Sequence, residues 1–135
     1  MSFVLDCSVT MAWCFADERC DATEALLEKL VKAGAHAPTL WPLEVTNVLL
    51  GAARKSRIAG TAATEVALRI SQLPVALDYE GTAQVWGETL SIASRYGLTS
   101  YDASYLELAA RKRLPIATLD KALRTAAIAH GVTVI

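Results

Sequence analysis

Short apolar runs along the chain alternate with longer stretches in which apolar residues return every three or four positions. Phe3-Val4-Leu5 is the first short run. The segment 35–37, Val75-Ala76-Leu77 after Pro74, Ile116-Ala117-Thr118 after Pro115, and Val132-Thr133-Val134-Ile135 after Gly131 are the others. Each predicts a short strand. Between them the period is helical. Residues 9–15 predict a short helix, and 22–33 a longer one ending at Gly34. Pro42 is placed like a first-turn proline, favoured there because its missing N–H has no intrahelical partner in that turn. Leu43, Val45, Val48, Leu49 and Ala52 continue from it as one stripe. Thr61 or Thr64 is expected to cap the next helix, with Val66, Ile70 and Leu73 on one face. Residues 80–96 predict a helix stopped by Gly97. Ser100 is expected to cap another, carrying Leu106, Ala109 and Ala110 and ending before Pro115. The last runs from about 120 to His130 and stops at Gly131.

Strands alternating with helices predict an α/β fold, a three-layer α/β/α sandwich on a central, mostly parallel sheet. Right-handed crossovers put every strand-to-helix junction on one edge of such a sheet. Ligands bind outside the carboxyl ends of its strands. No internal repeat, low-complexity tract or Gly/Ser linker interrupts the 135 residues, so one domain spanning 1–135 is expected.

Composition adds limits. At 53% apolar the chain can build a real core. No stretch reaches the roughly 20 apolar residues of a membrane span. The opening MSFVLDCSVTMAWCF carries Asp6, lacks a basic leader and does not read as a signal peptide, so a cytoplasmic protein with no membrane partner is expected. Cys7, Cys14 and Cys20 are odd in number, fit no zinc spacing and lie far from His36 and His130; they read as free thiols. A net charge of −1 does not announce a nucleic-acid partner, although clustered acids would mask local basic groups. Arg54, Lys55 and Arg57, and Arg111, Lys112 and Arg113, read as solvated helix ends that suit the C-terminal dipole. Lys121 and Arg124 fit that explanation poorly, because Lys121 opens a helix.

Four acidic residues stand at helix starts: Asp6, Glu44, Asp102 and Asp120. Each has a bland explanation. Asp6 and Asp120 are placed as N-caps, and Glu44 and Asp102 complement a helix dipole. Their neighbours shift the balance. Ser8 follows Asp6 by two positions and Thr118 precedes Asp120 by two; such hydroxyls orient a carboxylate or hold a water. Asn47 shares the helix face of Glu44. Gathered at one edge, four ionised carboxylates would repel and raise one another's pKa until a divalent cation offset them. An all-oxygen donor set favours Mg²⁺, with Mn²⁺ also suitable. Mg²⁺ usually takes one or two carboxylates and keeps several waters. Asp6 and Asp102 are expected as direct ligands, with Glu44 and Asp120 direct or acting through water.

FVLDCSVTMAWCF at 3–15, PLEVTNVLL at 42–50, YGLTSYDASYLELAARKRLPIATLD at 96–120 and the closing AHGVTVI cover nearly the whole chain in order. In these pieces the sequence resembles the PIN-domain ribonucleases, specifically the VapC-type toxins of type II toxin–antitoxin pairs. The third piece is the most specific: Tyr-Asp-Ala opening a helix, then a Pro-led strand ending Thr-x-Asp. The resemblance implies a parallel sheet with an acidic metal pocket at its C-terminal edge. It carries the family's catalytic quartet onto Asp6, Glu44, Asp102 and Asp120, and its supporting polar positions onto Ser8, Asn47 and Thr118. Asp17 and Glu18 match a pair often seen in the toxins, and read as a solvated helix end.

The implied function is Mg²⁺-dependent endoribonuclease activity that hydrolyses RNA phosphodiesters and leaves a 5′-phosphate. The implied partners are RNA, a small antitoxin that covers the pocket, and a second copy in a homodimer, giving a heterotetramer or larger assembly with antitoxin. Tyr101 or Trp41 is placed to stack on an unpaired base, or to serve packing. Trp86, Leu90, Ile92 and Tyr96 are core or interface. Two rivals remain open. One is a non-catalytic PIN-like binding module. The other is an Asp-dependent phosphatase, against which Ser8 argues because a second Asp is needed there, or a phosphotransfer domain with Asp78 as phosphoacceptor, against which the lack of a Lys at the end of a late strand argues.

Overall fold

A computed structural model describes residues 1–135. Four strands form one sheet: β1 (Phe3–Leu5), β2 (Ala35–Pro38), β3 (Val75–Asp78) and β4 (Ile116–Ala117). Their spatial order is β3-β2-β1-β4, and every neighbouring pair is parallel. The chain steps outward from β1 to β2 and β3, then crosses to the other side of β1 as β4. The order therefore reverses at the crevice between β1 and β4, the place where open parallel sheets take their ligands.

The helices are α1 (Cys7–Cys14), α2 (Asp21–Ala33), α3 (Trp41–Arg54), α4 (Gly60–Ser71), α5 (Leu90–Tyr96), α6 (Ser100–Lys112) and α7 (Lys121–Ala129). Helix α6 lies across β1, β2 and β4, with α5 and α7 against it, while α1 packs with α2 and α3, and α3 with α4. Strands covered on both faces must be apolar throughout, and Phe3, Val4 and Leu5 are all fully buried. So are Ala103, Tyr105, Leu106, Leu108 and Ala109 of α6.

The α/β sandwich expected from the alternating pattern is present, with local differences. Neither Thr61 nor Thr64 caps α4, because the helix already starts at Gly60 and Ala59 holds the cap position. Ser100 is the first helical residue of α6; Thr99 caps it, its Oγ1 accepting from the Asp102 N–H at 3.1 Å. Residues 80–96 coil throughout but in three forms: a 3₁₀ segment at Gly81–Gln84, a wide π turn at Val85–Thr89 that contains Gly87, then α5. The C-terminal run 132–135 forms one parallel bridge, Val134 beside Ile116, instead of a strand, since β4 is only two residues long and offers no further ladder.

The two basic clusters are solvated as their spacing suggests, with Arg54, Lys55, Arg57, Lys112 and Arg113 exposed, but one arginine of each is also ion-paired. Arg111 sits between the buried carboxylates of Asp78 and Glu107: Nε donates to Glu107 Oε2 at 2.8 Å, Nη2 donates to Asp78, and Nη1 reaches Glu80 Oε2 at 3.3 Å. The cluster pins the segment after β3 onto α6. Burial opposes ionisation of Asp78, but the hydrogen bond and charge of Arg111 hold its pKa below the ordinary value. Arg57 binds Asp17 and Glu18, both at 2.9 Å, with its guanidinium 3.9 Å from the Phe15 ring centroid. Asp17 and Glu18 are exposed, yet tied to that arginine.

Candidate functional site

Asp6 leaves the carboxyl end of β1, and Thr118 leaves that of β4, so the two face each other across the crevice. Backbone pairing sets this proximity: the Asp6 N–H donates to the Ala117 carbonyl at 3.0 Å. The Asp6 side chain is buried and does not cap α1. Its Oδ2 instead accepts from Ser8 Oγ at 2.6 Å and from Thr118 Oγ1 at 2.7 Å. Each hydroxyl is used twice. Ser8 Oγ accepts from the Leu119 N–H at 2.9 Å, and Thr118 Oγ1 from the Asp120 N–H at 3.0 Å. Both protons are spent on Oδ2, and the Cys7 backbone N–H also favours the ionised carboxylate.

Asp120 holds the N-cap of α7, its Oδ2 accepting from the Leu123 N–H at 2.8 Å. The bland expectation for this residue is therefore met at one oxygen, and the other is free of it. Asp102 lies half-buried in the first turn of α6, and Glu44 half-buried in the first turn of α3. Glu44 Oε1 accepts from the Tyr105 hydroxyl at 2.5 Å. Asn47 is exposed one turn along from Glu44, whose hydrogen bond goes to Tyr105 instead.

The fold brings Asp6 and Asp102 within electrostatic range of each other, of Glu44 and of Asp120. Burial first, then the charge of Asp120, raises the pKa of Asp6, against the hydrogen bonds from Ser8 and Thr118 that lower it. Burial likewise raises Glu44; donation by Tyr105 lowers it, and the charges of Asp6 and Asp102 raise it again. Asp102 is raised by burial and by the charges of Asp6 and Asp120. Cys7, beside them, is pushed up to about 12 by burial and by the charges of Glu44 and Asp6. In this conformation no three acidic, His or Cys side chains converge closely enough to enclose an ion directly. The donor set suits a hard cation that keeps waters between itself and some of its carboxylates.

The structure places the other singled-out residues differently. Trp41 is buried and donates Nε1–H to Thr10 Oγ1 at 3.0 Å, so it packs and does not stack on a ligand. Tyr101, adjacent to Asp102, is 64% exposed. Ile92 is buried and Tyr96 half-buried, whereas Trp86 and Leu90 face outward at 88% and 60% exposure. Asp78 is occupied by Arg111. A cavity of about 530 Å³ lies elsewhere, lined by Lys29, Arg113, Pro115, His130 and Val132 among others, with no Asp or Glu in its wall. Tyr105 went unremarked in the sequence, where it reads as one more apolar-face residue of α6; its position one turn after Asp102 was the available signal.

A crystal structure of PAE2754 from Pyrobaculum aerophilum is similar at a TM-score of 0.69 and 26% identity, over 93% of this chain and 84% of that one. One of FitAcB from Neisseria gonorrhoeae is similar at a TM-score of 0.68, over 100% of this chain and 96% of that one. At 18% identity the second likeness concerns the fold alone. Ribonuclease VapC3 from Pyrobaculum aerophilum is 28% identical over 123 residues, 91% of this chain and 92% of that protein, a distant relationship. The PIN domain family pattern matches residues 3–129. The chain belongs to the PIN domain family.

Proposed function

We propose that this chain is a Mg²⁺- or Mn²⁺-dependent endoribonuclease, the toxin component of a type II toxin–antitoxin pair. The observation that carries the reading is the gathering of Asp6, Glu44, Asp102 and Asp120 at the carboxyl edge of the sheet, at the crevice where strand order reverses. Asp6 and Asp102 would hold the cation. Bound there, it would lower the pKa of an attacking water and stabilise charge on the phosphoryl oxygens. Ser8 and Thr118 fix the Asp6 carboxylate in one orientation. Glu44 or Asp120 orients the water and takes its proton. Exposed Lys121 and Arg124 lie near Asp120 and supply contacts to the phosphate backbone, and Tyr101 offers a stacking face for an unpaired base.

The partners follow from uncovered apolar surface. Helices α3 and α4 enclose a groove of about 270 Å³ lined by Trp41, Pro42, Val45, Ile70 and Leu73. Leu43, Leu50 and Leu68 are exposed on the same two helices. That surface suits an apolar helix of a small antitoxin. Outward-facing Trp86 and Leu90 suit a second copy of the chain.

Asp6→Asn and Asp102→Asn test the assignment. Each should cut Mg²⁺-dependent cleavage of RNA at least on the order of 100-fold, as loss of groups that hold or orient a catalytic metal does, with the fold intact by circular dichroism. Undiminished cleavage by either pure variant would sink it. A non-catalytic PIN module is the second reading, favoured by the lack of direct convergence of three acidic groups. Calorimetry showing no Mg²⁺ or Mn²⁺ binding would select it.

A further inference from the structure

We propose that Tyr105 is a positioning residue for Glu44, its buried hydroxyl fixing which carboxylate oxygen is presented to the acidic edge. The inference rests on the metal-dependent reading above. Tyr105 is fully buried, and its hydroxyl donates to Glu44 Oε1 at 2.5 Å, joining α6 to α3 across 61 positions of sequence. A phenol has a single O–H to give. With that proton on Oε1, Oε2 is the oxygen left to meet water or a cation. The ring cannot follow a moving carboxylate, because it is wholly enclosed in the hydrophobic core.

Glu44 needs such a restraint. A glutamate in the first turn of a helix has several accessible rotamers, and Asp6 and Asp102 both repel its charge. The rotamers that swing it out to solvent relieve that repulsion. The Tyr105 hydrogen bond opposes the swing and keeps Glu44 beside the residues it must act with. Tyr105 stands one turn after Asp102 on α6, so the same helix both carries Asp102 and sets the distance to Glu44.

The experiment is a double-mutant cycle in the full chain, with Tyr105→Phe made alone and in a Glu44→Ala background. Its readouts are Mn²⁺ affinity by calorimetry, kcat and KM on an unstructured RNA oligonucleotide, and thermal melting. Tyr105→Phe alone should weaken Mn²⁺ about ten-fold, the lower end of the range for groups that orient a metal's ligands, and lower kcat with KM for RNA unchanged. In the Glu44→Ala background it should change neither. Equal losses in both backgrounds would show a structural role and overturn the proposal, as would wild-type affinity and kcat in Tyr105→Phe. If Glu44→Ala itself leaves Mn²⁺ binding and cleavage intact, the role given to Glu44 fails and takes this proposal with it. If Asp6→Asn retains activity, the nuclease reading fails first and separately. Should Tyr105→Phe not fold, the Tyr105 hydroxyl proton in the wild-type chain decides. A slowly exchanging resonance that shifts on Mg²⁺ titration supports the proposal, and one absent or unmoved overturns it.

Discussion

Asp6 sits in a nearly closed environment that disfavours its charge, and two hydroxyl donors on its Oδ2, with the Cys7 backbone N–H, favour it. Removing one of them exposes the cost. Thr118→Val takes away a charge-assisted donor of nearly equal volume, a loss of about 1.5–3 kcal/mol by the usual worth of such bonds. The melting temperature should fall by several degrees at pH 7. The deficit should be smaller near pH 4, where more of Asp6 is protonated and less charge needs the hydroxyl. The ordinary carboxyl value is 3.8, and in the folded chain burial has already raised it. Equal deficits at both pH values would show that Thr118 matters for packing and not for the Asp6 charge. Thr118 also accepts from the Asp120 N–H, so the substitution loosens the start of α7 as well.

At the scale of elements, the link between β3 and α6 is ionic and buried. Arg111→Met would leave the Asp78 and Glu107 carboxylates without their shared cation, and breaking a buried pair in this way costs about 3–5 kcal/mol. The sign of the pH dependence follows from Asp78. Its folded pKa lies below the unfolded value of 3.8, so its pairing stabilises the fold above that value and is lost as pH falls through the folded one. The deficit of Arg111→Met, measured by urea unfolding, should therefore be large at pH 7 and shrink below pH 3.8. A deficit independent of pH would remove the ion pairing as its cause. This cluster was half legible in the sequence. Glu107 and Arg111 at spacing four are a visible helix pair, but nothing local says that Asp78 lies beside them. The strands, most helices and the placement of the four acids at helix starts were legible, because period, proline and glycine act locally. The Tyr105–Glu44 bond was not, because it depends on how far α6 lies from α3; the Thr99 cap is a local contact, but Ser100 beside it is an equally good capping residue by type.

For the whole molecule, the proposed cation site at the sheet edge would make folding and cation binding one equilibrium. Asp6, Glu44 and Asp102 all have folded pKa values raised above their ordinary 3.8, 4.5 and 3.8. A carboxyl whose folded pKa is raised contributes stability below its unfolded value and loses it as pH climbs through the folded one. The metal-free chain should thus lose stability from these three groups as pH rises from about 4 towards neutrality, opposite in sign to Asp78. A divalent cation that binds only the folded, ionised cluster reverses that loss. At ten times its dissociation constant it adds about 1.4 kcal/mol, or about 4–6 °C for a domain of this size. Melting curves with and without Mn²⁺ should therefore nearly coincide at pH 4 and separate as pH increases. The separation should collapse in Asp6→Asn, whose amide cannot ionise. A Mn²⁺ increment constant across pH, or one retained in Asp6→Asn, would place the ion elsewhere on the surface. The conformation seen, with no three acids converged, suits such a linkage. Like charges at the edge repel one another, and the proposed cation with its waters would supply their shared counter-charge.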